Sequence, residues 1–459
     1  MSGEVLDLSR PKRVHIVGVA GAGMSAIALL LARMGHQVSG SDIKSTAVLE
    51  RLAAAGVDVH VGNRAEHVPE NADAVVYSTA IPRSNIELVT AEAHGIPVLH
   101  RSAALAALSL TRNTVAVAGS HGKTTTASML ALILRSAEWS PSFVIGGEVN
   151  EVGANAAFGE GEWMVVEADE SDGTFLHLVT RAALVTNVEP DHLDHYGDFG
   201  ALVRAFERFV DAVDGPIVVC ADDVVTARIA AERPVVRTYG RAATADYHIA
   251  DEVVDGSGCH FTLVAPGDER IDVVLPAGVK AATNAAGAIA TALELGVDPN
   301  AAVRALAGFG GVARRFQYRG ERAGVTFIDD YAHLPTEVAA AIATARQGPW
   351  RHVVVVFQPH RYSRTATIGP QFADAFSAAD QLVLTDVYSA GERPIPGVSG
   401  RTILTAVLDH HPALPVAYFP KFSDLTAVPA RYARAGDLVL TLGAGDLTTM
   451  PDVWTGGST

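Results

Sequence analysis

Cysteine is almost missing. Cys220 and Cys259 are the 2 in 459 residues, too few and too isolated for a disulfide framework or a zinc site, so a reduced, cytoplasmic protein is expected. An excess of positive charge is missing too: 35 Lys+Arg stand against 51 Asp+Glu, a formal charge of -16. That excludes the broad cationic surface on which non-specific nucleic-acid binding depends. Long apolar runs are absent as well. The segment Ile27 to Leu31 is cut by Arg33, and the opening MSGEVLDLSRPKR has no hydrophobic signal core, so neither membrane insertion nor export is expected. Nothing is repetitive or low in complexity. What remains is a chain with 49% hydrophobic residues and 42 Gly, a composition that suits compact α/β domains. Its length predicts about three of them at roughly 150 residues each.

The hydrophobic pattern supports that division. Val14 to Val17 is a short apolar run ending in Gly18, followed by apolar residues at helical spacing from Met24 to Met34 and a stop at Gly35. Further strand-like runs at Val38 to Ser41, Val57 to Val61 and Ala74 to Ser78 complete a Rossmann-like reading of residues 1–110. A second series starts at Thr114 to Ala118 and continues into a helix over Thr126 to Ser136, which assigns a central domain to 111–315. A Gly-rich turn at Gly308 to Gly311 precedes a third strand-helix series from Val325, assigning 316–459.

The motif with most chemistry is Gly119-Ser120-His121-Gly122-Lys123-Thr124-Thr125, between an apolar strand and a helix. Such a turn aims backbone N–H groups at a phosphate, Lys123 adds charge for the terminal phosphates, and Thr124 can ligate Mg²⁺. The usual pattern has a Gly separated by four residues from the Gly-Lys pair, where this chain has Val117, so the loop is a shortened form. Two clusters follow, expected on neighbouring strands: Val165 to Asp172, with carboxylates at Glu167, Asp169, Glu170 and Asp172, and Thr186 to His195, dense in oxygen and imidazole ligands. Carboxylates at strand carboxyl ends can hold the Mg²⁺ of a phosphate donor. A first glycine loop, Gly18, Gly21 and Gly23, is displaced from the dinucleotide fingerprint, yet Asp42 follows at about the expected ~20 residues. With one phosphate loop assigned to ATP, this second one points to a nucleotide-linked substrate rather than a redox cofactor. In the last third, Arg361 and Arg364 suit an anionic group, and Arg314 and Arg315 stand at the domain junction.

Together these segments resemble the Mur ligases of peptidoglycan synthesis, nearly end to end. The resemblance is carried by GVAGAGMSAIA (18–28), STAIPRSN (78–85), GSHGKTTT (119–126), EADESDGTFLHL (167–178), TNVEPDHLDHYGD (186–198), RRFQ (314–317), DDYAHLPTE (329–337), FQPHRYSRT (357–365), LTDVYSAGERPIPG (384–397) and GAGD (443–446). It implies an α/β fold of three domains: Rossmann-like, a P-loop ATPase-type domain with a mostly parallel sheet, and Rossmann-like again. It further implies a cytoplasmic, ATP-dependent ligase that works as a monomer or homodimer with Mg²⁺ or Mn²⁺. The reaction implied joins L-alanine to the lactyl carboxylate of UDP-N-acetylmuramate through an acyl phosphate. The alternative within the family is recycling, in which the muramate nucleotide receives a preformed tripeptide.

By resemblance, ATP is met by Gly119 to Thr125, Asn284, Arg314 and Asp330, and the metal by Thr124, Glu167 and His192. The UDP-substrate is met by Gly18, Gly21, Gly23, Met24, Ser25, Asp42, Ser78, Thr79, Ala80, Arg83 and Tyr331. Lys123, His333, Arg361 and Arg364 are the implied catalytic set, with His333 as candidate proton acceptor. Two departures stand out. Leu334 occupies the place of a second histidine, and around Lys280 and Ala281 only Asn284 survives of a segment that contacts adenine in the family.

Overall fold

The computed structural model describes residues 6–255, 258–276 and 281–456. The departure at Lys280 therefore lies outside the described residues. The chain is α/β throughout and divides into two compact units, Met1–Val312 and Ala313–Thr459. Unit one carries two sheets and unit two carries one.

The first sheet runs β3-β2-β1-β4-β5, with β1 Arg13–Val17, β2 Gln37–Asp42, β3 Asp58–Val61, β4 Ala74–Tyr77 and β5 Val98–His100, all parallel. The second has ten strands in the order β15-β14-β13-β12-β11-β10-β6-β9-β7-β8. Its parallel part comprises β6 Asn113–Ala118, β7 Ser142–Val149, β9 Trp163–Glu167, β10 Ala182–Val185, β11 Ile217–Cys220 and β12 Val236–Gly240, joined edgewise by β13 Tyr247–Asp255. β8 Ala154–Ala157 pairs antiparallel with β7, and β14 Gly258–Ala265 and β15 Glu269–Pro276 extend the other edge antiparallel. Strands buried on both faces need apolar residues at every position rather than at alternate ones. β6, β9 and β10 meet that need, with Val115 to Ala118, Met164 to Val166 and Ala182 to Val185 all buried.

One expectation is corrected here. β9 and β10, whose ends carry the two acidic clusters, are not neighbours, because β6 runs between them. Parallel strands are joined by crossovers that can skip a position, so chain order alone does not give sheet order. The phosphate loop that ends β6 is consequently flanked by acid on both sides.

Unit two holds a sheet ordered β16-β17-β21-β18-β19-β20: β16 Gln317–Arg322, β17 Val325–Asp330, β18 Val353–Phe357, β19 Gln381–Thr385, β20 Val416–Phe419 and β21 Leu438–Leu442. Only the β16–β17 pair is antiparallel.

Helices follow local chemistry. Asp198 caps the helix Phe199–Asp211 through the Ala201 N–H, and Asp298 caps Pro299–Ala307, whose first position is proline. The helix Ala282–Glu294 lies against the helix Lys123–Ser136 in the core of the second sheet. Within it, a methyl group on Gly287 would stand 2.6 Å from Cζ of the fully buried Tyr239. Alanine is the better helix former by about 1 kcal/mol, but overpacking a filled core costs about 1–3 kcal/mol. Gly287→Ala is expected to lower the melting temperature; an unchanged or higher value would show that Tyr239 can move aside.

Candidate active site

Gly119 follows β6 directly, at φ +136, and a side chain there would overlap Thr186 Oγ1. The end of β10 staples the loop. Thr186 Oγ1 donates to the His121 carbonyl at 2.6 Å, the Asn187 amide donates to the same carbonyl at 3.0 Å, and Asn187 Oδ1 accepts from the His121 N–H at 2.9 Å. Ser120 donates its N–H to the Asn187 carbonyl at 3.0 Å, and its hydroxyl accepts the Glu189 N–H at 2.9 Å. The helix Lys123–Ser136 then begins, with Gly122 as its left-handed cap at φ +81, no side-chain cap and no acid in its first turn. That leaves the positive end of the helix available to an anion. Asn284 stands at the same point, since a methyl on Gly122 would be 2.8 Å from its Oδ1.

Lys123 sits at the centre. Its ammonium donates to the Gly119 carbonyl at 2.6 Å, to the Ser120 carbonyl at 3.2 Å, and to both oxygens of Glu170 at 2.9 and 2.8 Å. Glu170 has no exposed surface; burial pushes its pKa up although Lys123 opposes. Burial also works against the Lys123 charge, but Glu170, with Glu167 and Asp169, outweighs it and raises that pKa. Thr124 Oγ1 donates to Glu167 Oε1 at 2.8 Å. His192 Nε2 lies 3.8 Å from Glu170 Oε1 and 3.4 Å from Asp191 Oδ2.

The expected metal set is thus partly assembled, with Thr124 on Glu167 and His192 leaning on Glu170. A hydroxyl, a carboxylate and one imidazole fit a hard cation that completes its shell with water and phosphate oxygens. Among the described residues no cluster of three His, Cys, Asp or Glu stands ready to hold a metal alone.

In the first glycine loop, Gly18 has φ +74 and faces Ile81, whose Cδ1 would be 3.0 Å from a methyl there. That places Ser78, Thr79 and Ala80, which follow β4, beside the loop. Gly21 precedes the helix Ala22–Arg33, which has no side-chain cap and no acid in its first turn; Met24 and Ser25 are buried in it. Asp42 turns one oxygen onto the loop itself: its Oδ2 accepts the Ala20 N–H at 3.0 Å. Arg83 lies over the Tyr77 ring at 4.5 Å.

Unit two gathers a second set. Asp330 is locked inward, accepting the Phe316 N–H at 2.7 Å and the Ala332 N–H at 2.8 Å, and burial raises its pKa to about 6. Arg314, with φ +61, folds onto its own unit: Nη2 donates to the Gly443 carbonyl at 2.7 Å and the guanidinium covers the Tyr331 ring at 4.8 Å. His333 Nδ1 is 3.3 Å from Glu337 Oε2. Its ring stands edge-on to His360 with centroids 5.8 Å apart, and His360 stacks on Tyr388 at 5.9 Å. Arg364 Nη1 meets His360 Nδ1 at 3.0 Å, and the Arg361 N–H donates to the Tyr388 carbonyl at 2.8 Å. His360 therefore supplies an imidazole beside His333 where Leu334 does not. Sequence reasoning had no signal for that pairing, since the two rings come from different strands.

A phosphate loop closing over carboxylates, in a chain built from three strand-helix sheets, defines an α/β enzyme that handles a nucleoside triphosphate. The chain belongs to the Mur ligase family, whose members form amide bonds at the expense of ATP. Residues 13–112 match the Mur ligase family catalytic domain, 117–292 the Mur ligase middle domain, and 314–445 the Mur ligase glutamate ligase domain. It is similar to the UDP-N-acetylmuramate–L-alanine ligase of Renibacterium salmoninarum, 47% identical with 98% of this chain and 96% of that protein covered. The ligase of the same name from Saccharopolyspora erythraea is 46% identical, with 96% and 92% covered. Among solved structures, the UDP-N-acetylmuramate-alanine ligase of Thermotoga maritima superposes with a TM-score of 0.79 at 28% identity, over 96% of this chain and 98% of that one.

The charge around His360 gives a test. Burial first, then His333, Arg364 and Arg361, lower its pKa to about 4. A histidine with a depressed folded-state value contributes stability that is present above its unfolded pKa near 6.5 and lost as pH falls toward 4. NMR titration is expected to find the His360 ring neutral down to about pH 4; a midpoint above 6 would show that burial and the neighbouring cations do not depress it.

Proposed function

We propose that the chain joins L-alanine to the lactyl carboxylate of UDP-N-acetylmuramate, with cleavage of ATP to ADP and phosphate, in the cytoplasm. The observation that carries the reading is the near full-length identity of 47% to a ligase named for that pair of substrates. A carboxylate is a poor electrophile toward an amine. Its oxygen therefore attacks the γ-phosphorus, the bond to ADP breaks, and the acyl phosphate so formed has a good leaving group. The alanine amine then attacks the carbonyl carbon, and the tetrahedral adduct expels phosphate.

The protein's part is to place charges and keep out water. Lys123 exchanges Glu170 for the terminal phosphate oxygens, while the first turn from Gly122 to Thr125 meets the others. Mg²⁺, when bound by Thr124, Glu167 and His192, supplies further positive charge there. Asn284, Arg314 and Asp330 are assigned to the nucleotide. The first glycine loop, Ser78 to Ala80, Asp42, Arg83 and Tyr331 are assigned to the UDP-linked substrate. From unit two, Arg361 and Arg364 offset the substrate's anionic centre, and His333, whose pKa is lowered chiefly by burial, takes the amine proton.

The alternative, transfer of a preformed tripeptide, is separated by one assay of phosphate release from ATP and UDP-N-acetylmuramate. Release is expected with L-alanine; release with the tripeptide but not with L-alanine would replace this reading. Lys123→Ala is expected to abolish turnover while leaving UDP-N-acetylmuramate binding measurable by calorimetry. Loss of both would show that the muramate nucleotide does not occupy the first loop.

A further inference from the structure

Arg101, the first residue of the helix Arg101–Ser109, is absent from every assignment above. Its guanidinium has two working edges. On one, Nη2 donates to Asp172 Oδ2 at 2.8 Å and to Asp169 Oδ2 at 3.2 Å, while Nε donates to Asp172 Oδ2 at 3.2 Å. On the other, Nη1 makes no hydrogen bond among the described residues and faces the first glycine loop: a methyl on Gly23 would stand 3.6 Å from it.

The carboxylates it holds are not loose surface groups. Asp169 Oδ1 accepts the Ser171 N–H and Asp172 Oδ1 accepts the Thr174 N–H, each at 3.0 Å. Each aspartate therefore ties the backbone of the acidic loop to Arg101. Between them, Glu170 turns the opposite way onto Lys123, and its carbonyl accepts the Tyr196 hydroxyl at 2.5 Å. One short loop is thus stretched between two cations: Arg101, beside the first glycine loop, and Lys123, in the phosphate loop.

We propose that Arg101 is a positioning residue coupling the two nucleotide sites: diphosphate oxygens at the first glycine loop engage Nη1, and the fixed guanidinium orders Asp169 to Asp172 around Lys123. The inference rests on the assignment of the UDP-linked substrate to that loop. A guanidinium can do this because its planar fork donates along separate edges at once, which an ammonium cannot match. A loop already ordered by one ligand costs the second ligand less to order, so each should tighten the other. The reciprocity is thermodynamic and typically amounts to about 5–150-fold.

The experiment is calorimetric titration of UDP-N-acetylmuramate with and without a saturating non-hydrolysable ATP analogue and Mg²⁺. It is run on the wild type, Arg101→Ala, Arg101→Lys and Asp172→Asn, with melting temperatures as a check on folding. In the wild type the analogue is expected to lower the Kd for UDP-N-acetylmuramate about tenfold. Arg101→Ala weakens UDP-N-acetylmuramate alone and brings the ratio of the two Kd values toward one. Arg101→Lys keeps part of the affinity and loses the ratio, and Asp172→Asn keeps the affinity and loses part of the ratio. Arg101→Ala with weaker binding but an undiminished ratio would make the residue structural and overturn the coupling, leaving the proposed reaction intact. A wild type that binds the analogue but shows no affinity for UDP-N-acetylmuramate would overturn both.

Discussion

The buried ammonium of Lys123 is the interaction on which the rest of the site depends. A cation so enclosed is tolerable only because its own loop supplies two carbonyls and Glu170 supplies a carboxylate. Glu170 in turn has no exposed surface and would be an uncompensated charge without Lys123. Each group makes the other's burial affordable, and a phosphate that draws Lys123 away must leave Glu170 another positive partner. A divalent cation, if held as proposed at Thr124, Glu167 and His192, would answer that need, since His192 Nε2 lies 3.8 Å from Glu170 Oε1.

The scaffold imposes this arrangement through side chains that grip the backbone of the loop. Gly119 admits no Cβ because Thr186 occupies the space, and the Asn187 side chain meets both the backbone N–H and the carbonyl of His121. These bonds define the backbone of the loop, which suits a site whose work is placing charges. The same placement recurs elsewhere, because candidate site residues in both units stand at carboxyl ends of parallel strands, where helix starts and strand ends leave backbone groups open. Asp42 at the end of β2, Asp330 at the end of β17 and His360 after β18 all occupy such places.

Much of this was legible in the chain. Apolar runs such as Val115 to Ala118 can be buried on both faces only inside a sheet, and glycines at 119 and 122 are read directly as a turn that approaches an anion. Lys123 and Thr124 fall in the first helical turn because the loop is short. Less legible was the inward turn of Asp42, Asp330 and Arg314: residue type shows that a group can meet a ligand, while backbone N–H and carbonyl groups brought close by folding decide what it meets first.

The sequence by itself determined the sheet-forming runs, the phosphate loop, the acidic strand ends and the family, because each is written in neighbouring residues. Only the tertiary structure decided that β6 runs between the two acidic strands, that His360 stands beside His333, and that Arg101 spans from the first glycine loop to Asp169 and Asp172. These depend on strand order and crossovers, which bring together residues tens of positions apart, and no local pattern of charge or hydrophobicity records them.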